Sequence, residues 1–102
     1  MAAIARNVRI FARDGFHCVY CDYDGSTFEH WRYLAVDHFI PKSSGGTEDD
    51  QNLVTACIDC NVMKGKYKFT TVAEARVAIA EWIVGERRVF EVSFAPTVSV
   101  SI

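Results

Sequence analysis

The chain has 102 residues and a mass of 11.5 kDa, enough for one small domain with a modest core and close to the size at which extra fastening helps. Half of its residues are hydrophobic, which excludes a disordered chain. A net charge of −2 and a pI near 5.8 exclude a protein that coats nucleic acid through bulk charge, so any phosphate contact must be local.

Residues 2–14 are expected to form a helix: Ile4, Val8 and Phe11 recur at helical spacing, Ile10 widens the stripe, and Gly15 is placed as a C-terminal stop. Arg6, Arg9 and Arg13 share another face, which reads as a solvated helix surface or as a contact for a phosphate backbone. Residues 16–21 then form a turn around Cys18 and Cys21. His17 stands beside Cys18 but is left out of any ligand shell, since four cysteines already fill one. His30 lies among Phe28, Trp31 and Tyr33, a group that either packs over the turn or stacks on nucleotides.

Residues 33–37 have a short strand-like character, ended by Pro41 and the loop of residues 42–46. An acidic turn, residues 47–50, follows. Residues 52–56 form a second strand-like run, so the two segments suit an antiparallel hairpin with a long connection. From Cys57 a short helix is expected up to Gly65, with Lys64, Lys66 and Lys68 clustered and no acid among them. Thr71 and Glu74 have capping-box spacing, and Val72, Ala75, Ile79 and Trp82 or Ile83 continue an apolar face, so a covering helix is expected over about residues 71–84, ending at Gly85. Residues 89–102 alternate apolar and polar side chains around Pro96 and read as edge strands, able to pair within the chain or with a second copy in a homodimer. Taken together, residues 1–102 read as a single domain with its core at about 13–68. No apolar run approaches the roughly 20 residues of a membrane span, and residues 1–6 lack the charged-then-apolar order of a signal peptide. The expected compartment is the cytoplasm, where thiols stay reduced.

In such a compartment the pattern C-x₂-C-x₃₅-C-x₂-C reads more naturally as a tetrahedral zinc site of Cys18, Cys21, Cys57 and Cys60 than as two local disulfides or a redox pair. Such a zinc is structural, because four thiolates leave no open position for water. Between the pairs stands Asp37-His38. An imidazole with an ordinary pKa of about 6.5 is mostly neutral at pH 7 and can take a proton from water. The carboxylate of Asp37 and the amide oxygen of Asn61 are hard ligands suited to Mg²⁺ or Mn²⁺. On a regular strand Asp37 and His38 face opposite ways, so the strand must twist or end there if both serve one site.

The whole order, C-x₂-C, then VDHFIPKSSGG, then DQNLV, then C-x₂-C-N-x₂-K-G, resembles the HNH endonucleases of the His-Me finger superfamily, in the variant with a zinc knuckle. The resemblance covers about residues 13–66. It implies an α+β fold with a ββα-metal core braced by the four-cysteine zinc site, flanked by N- and C-terminal helices and here by the short β tail. It further implies hydrolysis of phosphodiester bonds in DNA. His38 becomes the general base, Asn52 the asparagine that fixes the hairpin loop and helps orient His38, and Asp37 and Asn61 the ligands of a catalytic divalent ion. Independently of the resemblance, the basic side chains Lys42, Lys64, Lys66 and Lys68, with Arg6, Arg9 and Arg13 as further candidates, are the expected phosphate contacts of such a nuclease. The alternative is a catalytically silent, zinc-stapled module that binds nucleic acid or protein. Two departures stand out: the last motif position is Asn rather than His, and the aromatic-rich segment between Cys21 and Asp37 matches nothing assignable.

Overall fold

A computed structural model describes residues 2–94, with side chains from Ile4 onward. Its elements are α1 (Ala2–Arg13), a single turn α2 (Phe28–Trp31), β1 (Leu34–His38), β2 (Leu53–Cys57), α3 (Ile58–Lys64) and α4 (Val72–Phe94). Short 3₁₀ turns at Lys42–Ser44 and Asp50–Asn52 lie in the long connection between the strands. The architecture is α+β, with a two-stranded antiparallel sheet running straight into α3, the ββα arrangement expected.

Helix α1 stops where anticipated. Gly15 takes a φ of +65°, the left-handed conformation that costs glycine least, and the Phe16 amide donates 2.8 Å back to the Phe11 carbonyl. The apolar stripe is only partly used: Ile10 and Phe11 are buried, whereas Ile4 and Val8 are exposed. The reason is that the C-terminal half of α1 docks on β2. The Thr55 hydroxyl donates to the Ile10 carbonyl, Asp14 accepts from the Thr55 amide at 2.9 Å, and Arg13 donates to the Leu53 carbonyl at 2.6 Å. Full burial of Ile10 contributes about 1.5–3 kcal/mol. These contacts, together with the Val19 amide on the Thr55 carbonyl at 2.9 Å, cover an edge of β2 that would otherwise template pairing with another chain.

The strands pair Leu34 with Cys57, Asp37 with Val54 and His38 with Leu53, which sets Cys57 at the C-terminal end of β2 and directly before α3. Cys57 caps α3, its sulfur accepting from the Cys60 amide at 3.4 Å. The core then gathers around the cysteines, with Tyr20, Ala56 and Phe69 packed against Ala75 and Ile79 of α4. Thr71 caps α4 by accepting from the Glu74 amide at 3.1 Å, as the capping spacing predicts. Arg76 ties α4 to the first cysteine turn, donating to the Val19 carbonyl at 2.7 Å and to both oxygens of Asp22.

The expected end at Gly85 and the expected strand from residue 89 are both corrected: α4 runs unbroken through Gly85 to Phe94, 23 residues in all. A single glycine costs a helix only about 1 kcal/mol relative to alanine, too little to stop a segment continued by Glu86, Arg87 and Arg88. The remaining tail, residues 95–102, and the homodimer contact expected of it lie outside the described residues.

Candidate metal centre and active site

The first cysteine turn and the β2–α3 junction bring four sulfurs together. The Sγ atoms of Cys18, Cys21, Cys57 and Cys60 all lie within 4.8 Å of one another, and Cys21 and Cys57 are 3.7 Å apart. Zinc–thiolate bonds of about 2.3 Å in a tetrahedron require sulfur separations of about 3.8 Å. The cysteines are free, and Cys18, Cys57 and Cys60 are buried. Backbone amides of Tyr20 and Cys60 point at the sulfurs of Cys18 and Cys57 at 3.4 Å each, support that thiolates need. Four thiols this close cannot all ionise unaided. A hydrogen bond from Cys60 draws Cys18 down to about 5, and the same bond pushes Cys60 strongly up, while burial pushes Cys21 up to about 12. A dication removes that conflict, and an all-sulfur set suits zinc. His17 stays outside the shell, bonded through Nδ1 to the Gly15 carbonyl at 2.6 Å. His30 packs on Tyr23 with ring centroids 5.8 Å apart.

Asp37 and His38 close β1 and look in different directions. Asp37 is 6% exposed, and its Oδ2 accepts from the Tyr20 hydroxyl at 2.5 Å and forms an ion pair with the Lys64 ammonium at 3.1 Å. His38 faces the acidic turn, its Nε2 lying 2.8 Å from Glu48 Oε1. Asn52 is a clamp across the connecting loop. Its side-chain oxygen accepts from the Ile40 amide at 2.8 Å, and its Nδ2 donates to the Ile40 and Thr47 carbonyls at 3.1 and 2.9 Å. Gly46 completes the loop where a Cβ would come within 1.7 Å of the Ile40 oxygen, so no other residue fits. Over residues 18–67 the chain matches the family model for HNH endonuclease. Residues 18–67 thus form an HNH endonuclease domain.

HNH membership brings a nuclease-type function, with nucleic acid as the class of substrate. No curated protein and no solved structure matches the chain. Among the described residues no helix is long and apolar enough to cross a membrane.

Two oxygen donors of the ββα unit, on Asp37 and Asn61, are of the kind a hard divalent ion takes. Both partners of Asp37 sit on Oδ2, and no buried side-chain oxygen or nitrogen among the described residues lacks a partner, so Oδ1 reaches solvent. Asn61, half-buried on α3, spends no side-chain hydrogen bond on the described residues. One oriented carboxylate and one free amide fit a divalent ion that keeps several positions for water and phosphate. No hydrogen bond joins their side chains. The four cysteines are the cluster of three or more metal-ligating side chains among the described residues.

The cations are placed differently from expectation. Lys64 does not stand with Lys66 and Lys68: its side chain is 0% exposed, bonded to Asp37 and to the His38 carbonyl at 3.2 Å, and it lies over the Phe39 ring. Burial in that pocket removes it as a solvent-facing phosphate contact, leaving Lys66 and Lys68 exposed. Lys42 is exposed but pairs with Glu48 at 2.6 Å. The arginine stripe of α1 docks on the acidic turn, Arg6 on Glu48 at 2.9 Å and Arg9 on Asp50 through two bonds of 2.8 Å, while Arg13 reaches the Asp50 carbonyl at 2.8 Å.

Sequence reasoning missed Tyr20 and Glu48. Tyr20 sits inside the first cysteine turn, where an aromatic passes for packing. Glu48 had a usable signal, an acid in a turn ten positions after a histidine at the strand end.

Proposed function

We propose that this HNH domain is a metal-dependent endonuclease that hydrolyses phosphodiester bonds in DNA, with little sequence preference of its own. The observation that carries the reading is the open ring nitrogen of His38. Its Nε2 is engaged by Glu48, and its Nδ1, with no partner among the described residues, reaches solvent at the end of β1. In the neutral ring that nitrogen takes a proton from an attacking water. Asp37 and Asn61 are the residues that hold Mg²⁺ or Mn²⁺, and Tyr20 and Lys64 fix the carboxylate of Asp37 so that Oδ1 keeps its direction. When bound, the ion supplies positive charge where the phosphate and the leaving oxygen become more negative. Asn52 holds the loop opposite His38, and Lys42, Lys66 and Lys68 are the side chains offered to the flanking phosphates. Supercoiled plasmid incubated with the protein and Mg²⁺ or Mn²⁺ is expected to become nicked or linear, and EDTA is expected to abolish the cutting. Intact plasmid under all these conditions would overturn the reading.

A second reading, a catalytically silent zinc-stapled module that binds nucleic acid or protein, is favoured by one observation. Arg6, Arg9 and Lys42 are all paired with acids of the chain itself, which leaves few cations for a phosphate backbone. Binding of DNA or of a protein without plasmid cutting would select it.

A further inference from the structure

We propose that Glu48 is a positioning residue for His38, holding the imidazole through Nε2 so that Nδ1 is presented to solvent as the proton acceptor. The inference rests on His38 being the general base.

The geometry imposes a direction on the proton. An ionised carboxylate only accepts hydrogen bonds, so at 2.8 Å from Glu48 Oε1 the Nε2 of His38 must carry the hydrogen. The lone pair of the neutral ring is then on Nδ1, the nitrogen without a protein partner among the described residues. Glu48 is itself held from both sides, with Lys42 on Oε1 at 2.6 Å and Arg6 on Oε2 at 2.9 Å. An exposed carboxylate with one partner swings freely; one gripped at both oxygens keeps a single orientation.

The backbone of Glu48 is placed just as firmly. Its neighbour Thr47 gives its carbonyl to Asn52, which also grips both polar groups of Ile40, two residues after His38. Asn52 thus makes no side-chain bond to His38 and acts on it through the loop and Glu48. Arg6 extends the device to α1, so the first helix contributes to the orientation of a ring on the hairpin.

Two substitutions in the full chain, Glu48→Ala and Glu48→Gln, test this. Long-range ¹⁵N correlation spectra read the tautomer of His38, and plasmid cutting reads kcat and KM. The wild type is expected to show the Nε2–H tautomer alone. Glu48→Ala is expected to mix in the Nδ1–H form and to lower kcat about ten-fold, the lower end of what outer partners of functional imidazoles supply, with KM little changed. Glu48→Gln, whose amide oxygen still accepts from Nε2, should restore the tautomer and most of kcat. Zinc content and thermal unfolding report whether each variant is folded. Full kcat and an unmixed tautomer in Glu48→Ala would overturn the proposal by reducing Glu48 to a surface ion pair. A rise in kcat would overturn it too, because the carboxylate would then be occupying a seat meant for phosphate between Arg6 and Lys42. If the wild type cuts no faster than His38→Ala, the base reading has failed; an unmixed tautomer in Glu48→Ala then still overturns the holding role by itself.

Discussion

The Lys64 ammonium lies 3.1 Å from Asp37 Oδ2, with the two side chains 0% and 7% exposed. Breaking such a pair from one side strands a charge out of water, whereas removing both charges is far milder. Lys64→Met is therefore expected to destabilise the fold by about 3–5 kcal/mol. Lys64→Met combined with Asp37→Asn should recover a large part of that loss. Urea unfolding of the two single variants and the double one measures the coupling; additive effects would show the pair to be independent.

The zinc quartet predicts one zinc per chain on elemental analysis. A structural zinc contributes on the order of 10–16 kcal/mol in small peptides, comparable to or larger than the roughly 5–15 kcal/mol net stability of a domain. Strong chelation is thus expected to unfold the hairpin and α3, followed by circular dichroism. Cys18→Ser should behave likewise, because its sulfur is buried among the other three. A chelated protein that keeps its native spectrum would contradict the assignment.

Base and ligand are separated by metal dependence. His38→Ala is expected to lose about 10²–10⁴-fold in cutting rate while keeping its zinc, its fold and its affinity for Mg²⁺ or Mn²⁺. Asp37→Asn should weaken the divalent ion, so that raising its concentration recovers part of the activity in that variant alone. Recovery of His38→Ala by extra metal would make that residue a ligand.

Glu48 is held at about 2, well below the ordinary range for a carboxylate, first by its hydrogen bond from Lys42 and next by that from His38. A depressed folded-state pKa means that this cluster contributes stability fully above the unfolded value near 4.5 and loses it as pH falls through about 2. Carboxyl NMR titration should place its midpoint in that low range, and Lys42→Ala should move it upward. Because the pair is exposed, added salt should narrow the difference between the two proteins.

With Lys64 turned inward, Lys66 and Lys68 form the exposed part of the predicted patch. Changing both to Ala should weaken DNA binding about equally across sequences and flatten the salt dependence by up to roughly one unit per lost phosphate contact. Fluorescence anisotropy at several salt concentrations measures this. Arg9→Ala, by contrast, frees Asp50 and should change binding little.

Cys18, Cys21, Cys57 and Cys60 were legible because metal ligation constrains spacing as well as residue type. The hairpin was legible from two short apolar runs flanking a proline- and glycine-marked loop. Lys64 was misread because a lysine at the head of a run of closely spaced lysines resembles a surface patch. Yet it follows Cys60 by one helical turn and so shares its buried face, a signal within reach of periodicity alone. The pairing of Arg6 with Glu48 and of Arg9 with Asp50 joins charges 41 to 42 positions apart, and no local pattern reveals which distant acid a basic stripe will meet. Residues 89–94 alternate like a strand, but the helix already running through residue 88 decides their conformation.

The separation of the cysteine pairs also orders events in time. Cys21 and Cys57 are 36 positions apart, and the bonds from α1 to β2 span 40 to 45 positions. On a growing chain that emerges from its N-terminus, α1 and the first cysteine turn appear long before either has anything to close upon. The nascent domain therefore holds two reduced thiols in waiting until Cys60 is delivered. Metal capture and closure of the core are therefore expected to be one late step, with the supply of zinc setting how long the chain stays open to proteases.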